Sequence, residues 1–258
     1  MPLRARTGAG QVAAALPSGR SVLVGVALAV LAAGLYAVAR TTPVFDVGTV
    51  RVTGATPAIA RQVRAVVDRE RGTSLLALDP GIAARVEALP DVRSATVDRA
   101  FPHTLVVSVT RELPAAVLRR GRASWLLSAR GRVLRALPRG AHPRLPRVWA
   151  ARLVPPVPGD LLAQRSVAAP MRVVRAIPTG FPARVRSVAL DRGVGVLVLD
   201  GGLVLRLGEP RDLPVKLAVA ATILPGLVSR AAGGPDYLDV SLPERPVSGQ
   251  VTNPQPEA

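Results

Sequence analysis

The residue types that could do chemistry gather in one stretch. Between Leu89 and Glu112, "LPDVRSATVDRAFPHTLVVSVTRE" places His103 among Asp91, Ser94, Asp98 and Glu112, and His103 is one of two histidines in 258 residues. A histidine near a serine and carboxylates suggests general-base activation of a nucleophile. Triad partners, however, meet in space from separated elements, so closeness along the chain implies no such geometry. The second histidine, His142, is isolated, and two histidines so far apart have no metal-ligand spacing. Gly193-Val194-Gly195 opens like a dinucleotide fingerprint, but no third glycine follows at the required place and a strand, not a helix, comes next. With no cysteine, thiolate catalysis, disulfides and sulfur-bound zinc are excluded. No residue is assigned a catalytic, cofactor-binding or metal-ligating role; the chain is expected to be no enzyme and to need no cofactor.

The alternation of the same stretch says what it is instead. Ala95 and Val97 point one way and Thr96 and Asp98 the other; Leu105, Val107 and Val109 turn inward while Ser108, Thr110 and Glu112 turn outward. Pro102 presets a turn between the two runs, so the stretch predicts a hairpin with His103 at its tip and its acids on the solvated face. Ahead of it, "TVRVTG" reads as a half-buried strand. Thr56 then caps a helix with Pro57 in its first turn and Ile59, Val63, Val66 and Val67 in one apolar stripe. Gly72 closes that helix, and Asp79-Pro80 starts a shorter one with Ile82, Val86 and Leu89 inward. The order is strand, helix, helix, strand, strand.

The start of the chain carries an address. Residues 21–39, "SVLVGVALAVLAAGLYAVA", hold no charge and as a helix would extend about 28 Å, close to the ~30 Å core of a bilayer. Arg4, Arg6 and Arg20 precede it with no acid among them, which keeps residues 1–20 in the cytoplasm and sends the rest across. A retained single-span anchor is expected. A cleaved signal peptide stays open as its rival, because Ala37-Val38-Ala39 is an A-x-A pattern. The net charge of +17 comes from scattered arginines with Lys216 as the single lysine, and no run of five basic residues occurs. Dispersed, solvated arginine fits this better than a nucleic-acid site.

Strand–helix–helix–strand–strand directly after a membrane span resembles a POTRA domain. "VRVTGAT", "GTSLLALD" and "LPDVRSATVDRAFPHTLVVSVTRELPAAV" together resemble the FtsQ/DivIB family of bacterial cell-division proteins, of actinobacterial type, over roughly Phe45 to Val247. The resemblance implies an α+β chain: cytoplasmic tail 1–20, transmembrane helix 21–39, POTRA domain 44–113 and a mainly antiparallel β domain with helices over 114–247; the polar, proline-bearing residues 248–258 are expected to be a disordered tail. It also implies a single-pass plasma-membrane protein of the division septum, its bulk outside the cytoplasm.

In the second part, Trp125–Leu127 and Val133–Leu134 read as a hairpin, 138–158 as irregular connection, and Asp160–Ile177 as a helix that Pro170 should kink or split. Strands follow at Val185–Leu190, Val194–Leu199 and Leu203–Leu207, then a helix over Leu213–Leu224, and a last strand at Tyr237–Leu242 stopped by Pro243 and Pro246. A sheet built from sequential hairpins would leave that last strand at an edge, open to an incoming chain. The family resemblance implies a partner of the FtsB/DivIC type there, joined by an FtsL-type partner and acting indirectly on the septal peptidoglycan synthase complex. The carry-over falls on Tyr237, Leu238, Asp239, Val240 and Ser241, with a scaffold's role and no nucleic acid. The alternative is a secreted or anchored protein that binds polyanions or cell wall, which would use the positive charge itself.

Overall fold

The computed structural model of the chain describes residues 19–41, 43–138, 141, 144–150, 153–191 and 193–250. Its first element is a helix, α1 (Gly19–Thr41), whose stretch Val22–Ala39 is long and apolar enough to cross a membrane and is buried nowhere against the rest of the protein. A 3-10 turn at Pro43–Phe45 leads into the first folded part.

That part is a small α+β layer pair. Strands β1 (Thr49–Thr53), β2 (Val92–Ala100) and β3 (Thr104–Arg111) form a sheet in the order β1-β3-β2, with β1 parallel and β2 antiparallel to β3. Helices α2 (Pro57–Val67) and α3 (Ile82–Glu87) cover one face. Ile59, Val63 and Val67 of α2 and Ile82 and Val86 of α3 meet Leu105, Val107 and Val109 of β3 in one core, the inward set read from the sequence. Thr56 caps α2 through the Ile59 N–H at 3.4 Å. Gly54 takes a positive φ of 75° where a Cβ would stand 2.2 Å from the Val109 carbonyl, so only glycine fits that bend.

The second part is one nine-stranded sheet. Its strands are β4 (Pro114–Arg120), β5 (Ala123–Ser128), β6 (Val133–Leu137), β7 (Arg147–Trp149), β8 (Val185–Asp191), β9 (Val194–Leu199), β10 (Val204–Gly208), β11 (Tyr237–Asp239) and β12 (Val247–Gly249). They lie in the order β12-β11-β10-β9-β8-β7-β4-β5-β6. Five neighbour pairs are antiparallel and three, β4·β7, β7·β8 and β10·β11, are parallel. Helices α4 (Arg165–Ala176) and α5 (Leu213–Ile223) lie on one face, where Met171, Val174, Leu213 and Leu217 pack against Leu118, Val148, Val188, Leu197 and Leu205. The far face carries a smaller cluster of Val117, Leu126 and Leu134.

Several expectations change here. Strands β4 and β7 went unread, β7 within the proline-rich connection. α4 runs unbroken through Pro170, whose ring is buried with Val167, Met171 and Val174; that packing outweighs the missing hydrogen bond. The expected tail from Ser248 begins inside β12, and only its residues 251–258 lie outside the described residues, as do His142 and residues 1–18 of the expected cytoplasmic tail. Glu112, placed on a solvated face by alternation, is 7% exposed. It sits just past β3, where the β5–β6 turn folds over it and the Arg130 Nε donates to its carboxylate at 2.9 Å. From the same turn, Arg132 donates to the carbonyls of Glu87 and Ala88 at 2.9 and 3.1 Å, capping the C-terminal end of α3. Two arginines thus join the two folded parts.

Candidate partner-binding edge of the β domain

The His103 constellation does not assemble. In the β2–β3 register Ala100 faces Thr104 at one end and Val92 faces Arg111 at the other, so His103 and Glu112 lie a strand length apart, about 30 Å. Glu112 pairs with Arg130, and His103 is exposed at the turn, contributing its backbone carbonyl to the Gly48 and Thr49 N–H groups at 3.0 and 3.1 Å. Gly193 forms a turn with φ of 90° and a strand follows it. Among the described residues no group of three or more His, Asp or Glu is placed to hold a metal ion.

The five residues expected at the sheet margin are found together, but one strand inward. Tyr237, Leu238 and Asp239 form β11, which pairs in parallel with β10 (Val204 opposite Tyr237, Arg206 opposite Asp239). On its other side β11 pairs antiparallel with β12, Tyr237 opposite Gly249 and Asp239 opposite Val247. β11 is therefore an interior strand, and the expectation that Tyr237–Ser241 lines a free edge is corrected. Leu238 and Val240 are 1% and 0% exposed, part of the core beneath α5. The Val240 N–H donates to the Arg206 carbonyl at 2.9 Å, toward β10 and away from the margin. Ser241 closes the strand, its N–H bonded to the Asp239 carboxylate at 2.9 Å.

Pro243, expected to stop the strand, turns the chain. Pro243 sits at the second position of a turn in which the Arg245 N–H reaches the Leu242 carbonyl at 3.0 Å, and the chain returns as β12. Val247, Ser248 and Gly249 are the residues that sequence reasoning missed. The signal was the Leu242–Arg245 turn ahead of them, since three residues are too few to show a period.

Around the margin the side chains form a braced stack on the sheet face. The Arg206 guanidinium lies 4.2 Å from the Tyr237 ring centroid, a cation–π contact. Across β12 the tyrosine occupies the space a side chain at 249 would need, since a Cβ there would stand 2.8 Å from its hydroxyl. Behind, Lys216, 6% exposed, donates to the carbonyls of Leu207 and Glu209, both at 2.9 Å, and pins α5 to the end of β10. No described strand pairs with the outer side of β12. Chemically the arrangement offers backbone donors and acceptors on a supported three-residue margin, with Val247 and Ser248 exposed.

Residues 45–111 match the POTRA domain of FtsQ type, and residues 116–241 match the C-terminal domain of the cell division protein FtsQ/DivIB. The second match stops before β12. The chain is 35% identical over 113 residues to the cell division protein FtsQ of Corynebacterium glutamicum, covering 43% of this chain and 50% of that protein. It is 27% identical over 229 residues to FtsQ of Mycobacteroides abscessus, covering 88% of this chain and 69% of the relative. With FtsQ of Syntrophotalea carbinolica it shares 26% over 190 residues, 71% of this chain and 66% of that one. The chain thus spans half the length of the first of these relatives and about two thirds of the other two.

Proposed function

The chain belongs to the FtsQ/DivIB family of cell-division proteins, matched in both folded parts, and from that premise we propose that it is a bitopic membrane scaffold that captures a partner strand at β12. α1 spans the membrane with residues 1–20 in the cytoplasm, and the folded parts stand outside at the division septum. The partner is a small single-span protein of the FtsB/DivIC type, accompanied by an FtsL-type protein, and through them the scaffold touches septal wall synthesis without chemistry of its own. The POTRA domain offers a second surface for division proteins.

The observation that carries this is the outer side of β12, which no described strand covers, on a strand pair that is otherwise buttressed: β11 behind it, Tyr237 across it and Lys216 holding the next strand. Three or four ladder bonds at roughly 0.5–1.5 kcal/mol each give modest affinity, and co-anchoring in one membrane raises the effective concentration enough to make that sufficient. Tyr237–Ser241 then act from the second row: Leu238 and Val240 hold the sheet, and Asp239 and Tyr237 shape the face on which partner side chains land.

The test is capture in living cells from a photocrosslinker at Ser248, with Ala136 on the opposite margin strand β6 as control. The FtsB/DivIC-type partner should be trapped from 248 and not from 136. Equal trapping, or none from 248, rejects the site.

A further inference from the structure

The POTRA domain has an apolar tip at the end where α1 enters. Val44 is 62% and Phe101 55% exposed, although each belongs to an ordered turn. Phe45 and Phe101 meet edge to face with ring centroids 5.8 Å apart, and they are two of the three phenylalanines in the chain. Three turns converge to hold them. The His103 carbonyl takes the Gly48 and Thr49 N–H groups, and the Val47 N–H reaches the Thr73 carbonyl at 3.0 Å. The turn Leu75–Ala77 lies against α1 itself.

Distances along the chain say what faces this tip. The apolar stretch Val22–Ala39 is 18 residues, about 27 Å of helix, which fills the hydrocarbon core and ends at its boundary. Val44 lies five residues past Ala39, ~3 Å of helix to Thr41 and at most ~11 Å of chain beyond it, and headgroups occupy roughly the first 5–8 Å beyond the core. That tether keeps the exposed aromatic and aliphatic side chains within reach of the depth where aromatic residues settle in membranes.

We propose that Val44, Phe45, Phe101 and Pro102 bed into the headgroup layer of the bilayer that α1 crosses, so that lipid is a direct partner of the POTRA domain and fixes its tilt. The proposal rests on the reading of α1 as a span. Its occupant is the membrane, because the patch begins in the Pro43–Phe45 turn that follows α1, and the Phe45–Phe101 contact joins that turn to the tip between β2 and β3.

The chain has no cysteine, so single probes can be placed cleanly. The full-length protein, alone in phospholipid vesicles, would carry an environment-sensitive fluorophore on Val44→Cys, on Leu28→Cys within α1, or on Ala123→Cys at the exposed start of β5. Headgroup-attached nitroxide lipid should quench the probe at 44 roughly twofold or more above that at 123, as befits a side chain ~5–10 Å into the interface. Phe101→Ser in the Val44→Cys background should abolish the difference and Phe101→Trp should keep it. If 44 is as wet as 123 while acyl-chain nitroxide quenches 28, α1 still spans but the tip does not touch lipid, and the proposal is overturned. If 28 is unquenched, the span fails and the proposal with it.

Discussion

Two sheet margins in this chain are built in opposite ways. β2, at the free side of the POTRA sheet, is nine residues long and guarded. The Glu87 carboxylate reaches over from α3 to accept the Ala95 N–H at 2.9 Å, the register shifts between Val92 and Ser94, and Arg93, Asp98 and Arg99 stand exposed along it. Charges, an irregular register and a capped donor are the usual means of keeping an edge from pairing with another chain. β12, at the margin of the nine-stranded sheet, is only three residues and has none of these devices: Val247, Ser248 and Gly249 carry no charge. The proposed capture at β12 fits this contrast between a long edge that is blocked and a short one left plain. The shortness of β12 limits unwanted association while the sheet behind it supplies rigidity.

The sharpest break of this contrast is to remove the support behind β12. Leu238→Ala on β11 empties a side chain 1% exposed in the main core, and should lower stability by about 2–5 kcal/mol in chemical denaturation. Thr96→Ala on the exposed face of β2 should change it by less than about 0.5 kcal/mol. Similar small losses at both positions would mean that β11 is not the interior strand described.

Next in size is the margin itself. Successive strand residues direct their N–H groups to opposite sides, so of Val247→Pro and Ser248→Pro one removes an outward donor and the other a bond to β11. Both should weaken partner binding, the outward one by roughly tenfold, about 1.4 kcal/mol, with little loss of stability. Proline at Thr96 on β2 should leave the affinity unchanged. Measured by titration with the purified partner in nanodiscs, equal affinities for both β12 variants and the parent protein would place the binding elsewhere.

Unblocking the guarded edge should have a smaller effect. Glu87→Ala deletes a charged acceptor from the Ala95 N–H and should cost about 1 kcal/mol, with concentration-dependent self-association as the edge becomes available. Sedimentation that stays monomeric at all concentrations would show that the carboxylate is not what keeps β2 unpaired.

The sequence disclosed these margins unevenly, for physical reasons. Alternation at Leu105, Val107 and Val109 gave β3 and its buried face, because a half-buried strand needs period two. The existence of β11 was legible, but its neighbours were not. Sheet order depends on crossovers, and the parallel β10–β11 pairing brings a segment back across α5 with no local mark in Tyr237–Asp239. β12 is too short to alternate. Glu112 was misplaced because the arginine that buries it, Arg130, stands eighteen residues away. Asp79, by contrast, stands close to where the sequence placed it, in the turn just ahead of α3, where its carboxylate accepts the Gly81 N–H and so acts within its own few residues; the helix itself begins at Ile82.

That short reach makes Asp79 the smallest and cleanest test. The Gly81 N–H, 2.7 Å from its carboxylate, holds the Asp79 pKa below its ordinary value, and the Arg85 guanidinium adds to this against a desolvation that opposes it. A carboxyl depressed in the folded state contributes stability that is complete above the unfolded value of about 3.9 and is lost as pH falls through the folded one. Asp79→Asn should therefore narrow its stability gap to the parent protein from pH 4 downward and keep it constant above pH 5. Arg85 also donates to Glu70 at 2.5 Å, so it remains paired when Asp79 is neutralised, and the acid-sensitive step should stay confined to the turn ahead of α3. Neither sheet margin takes part in that turn, so partner affinity at β12 should be the same for Asp79→Asn and the parent protein across this range. A pH-dependent change in affinity that follows Asp79 would mean that the POTRA helices and the β12 margin communicate, with Arg132, which holds the other end of α3, as the connection to examine.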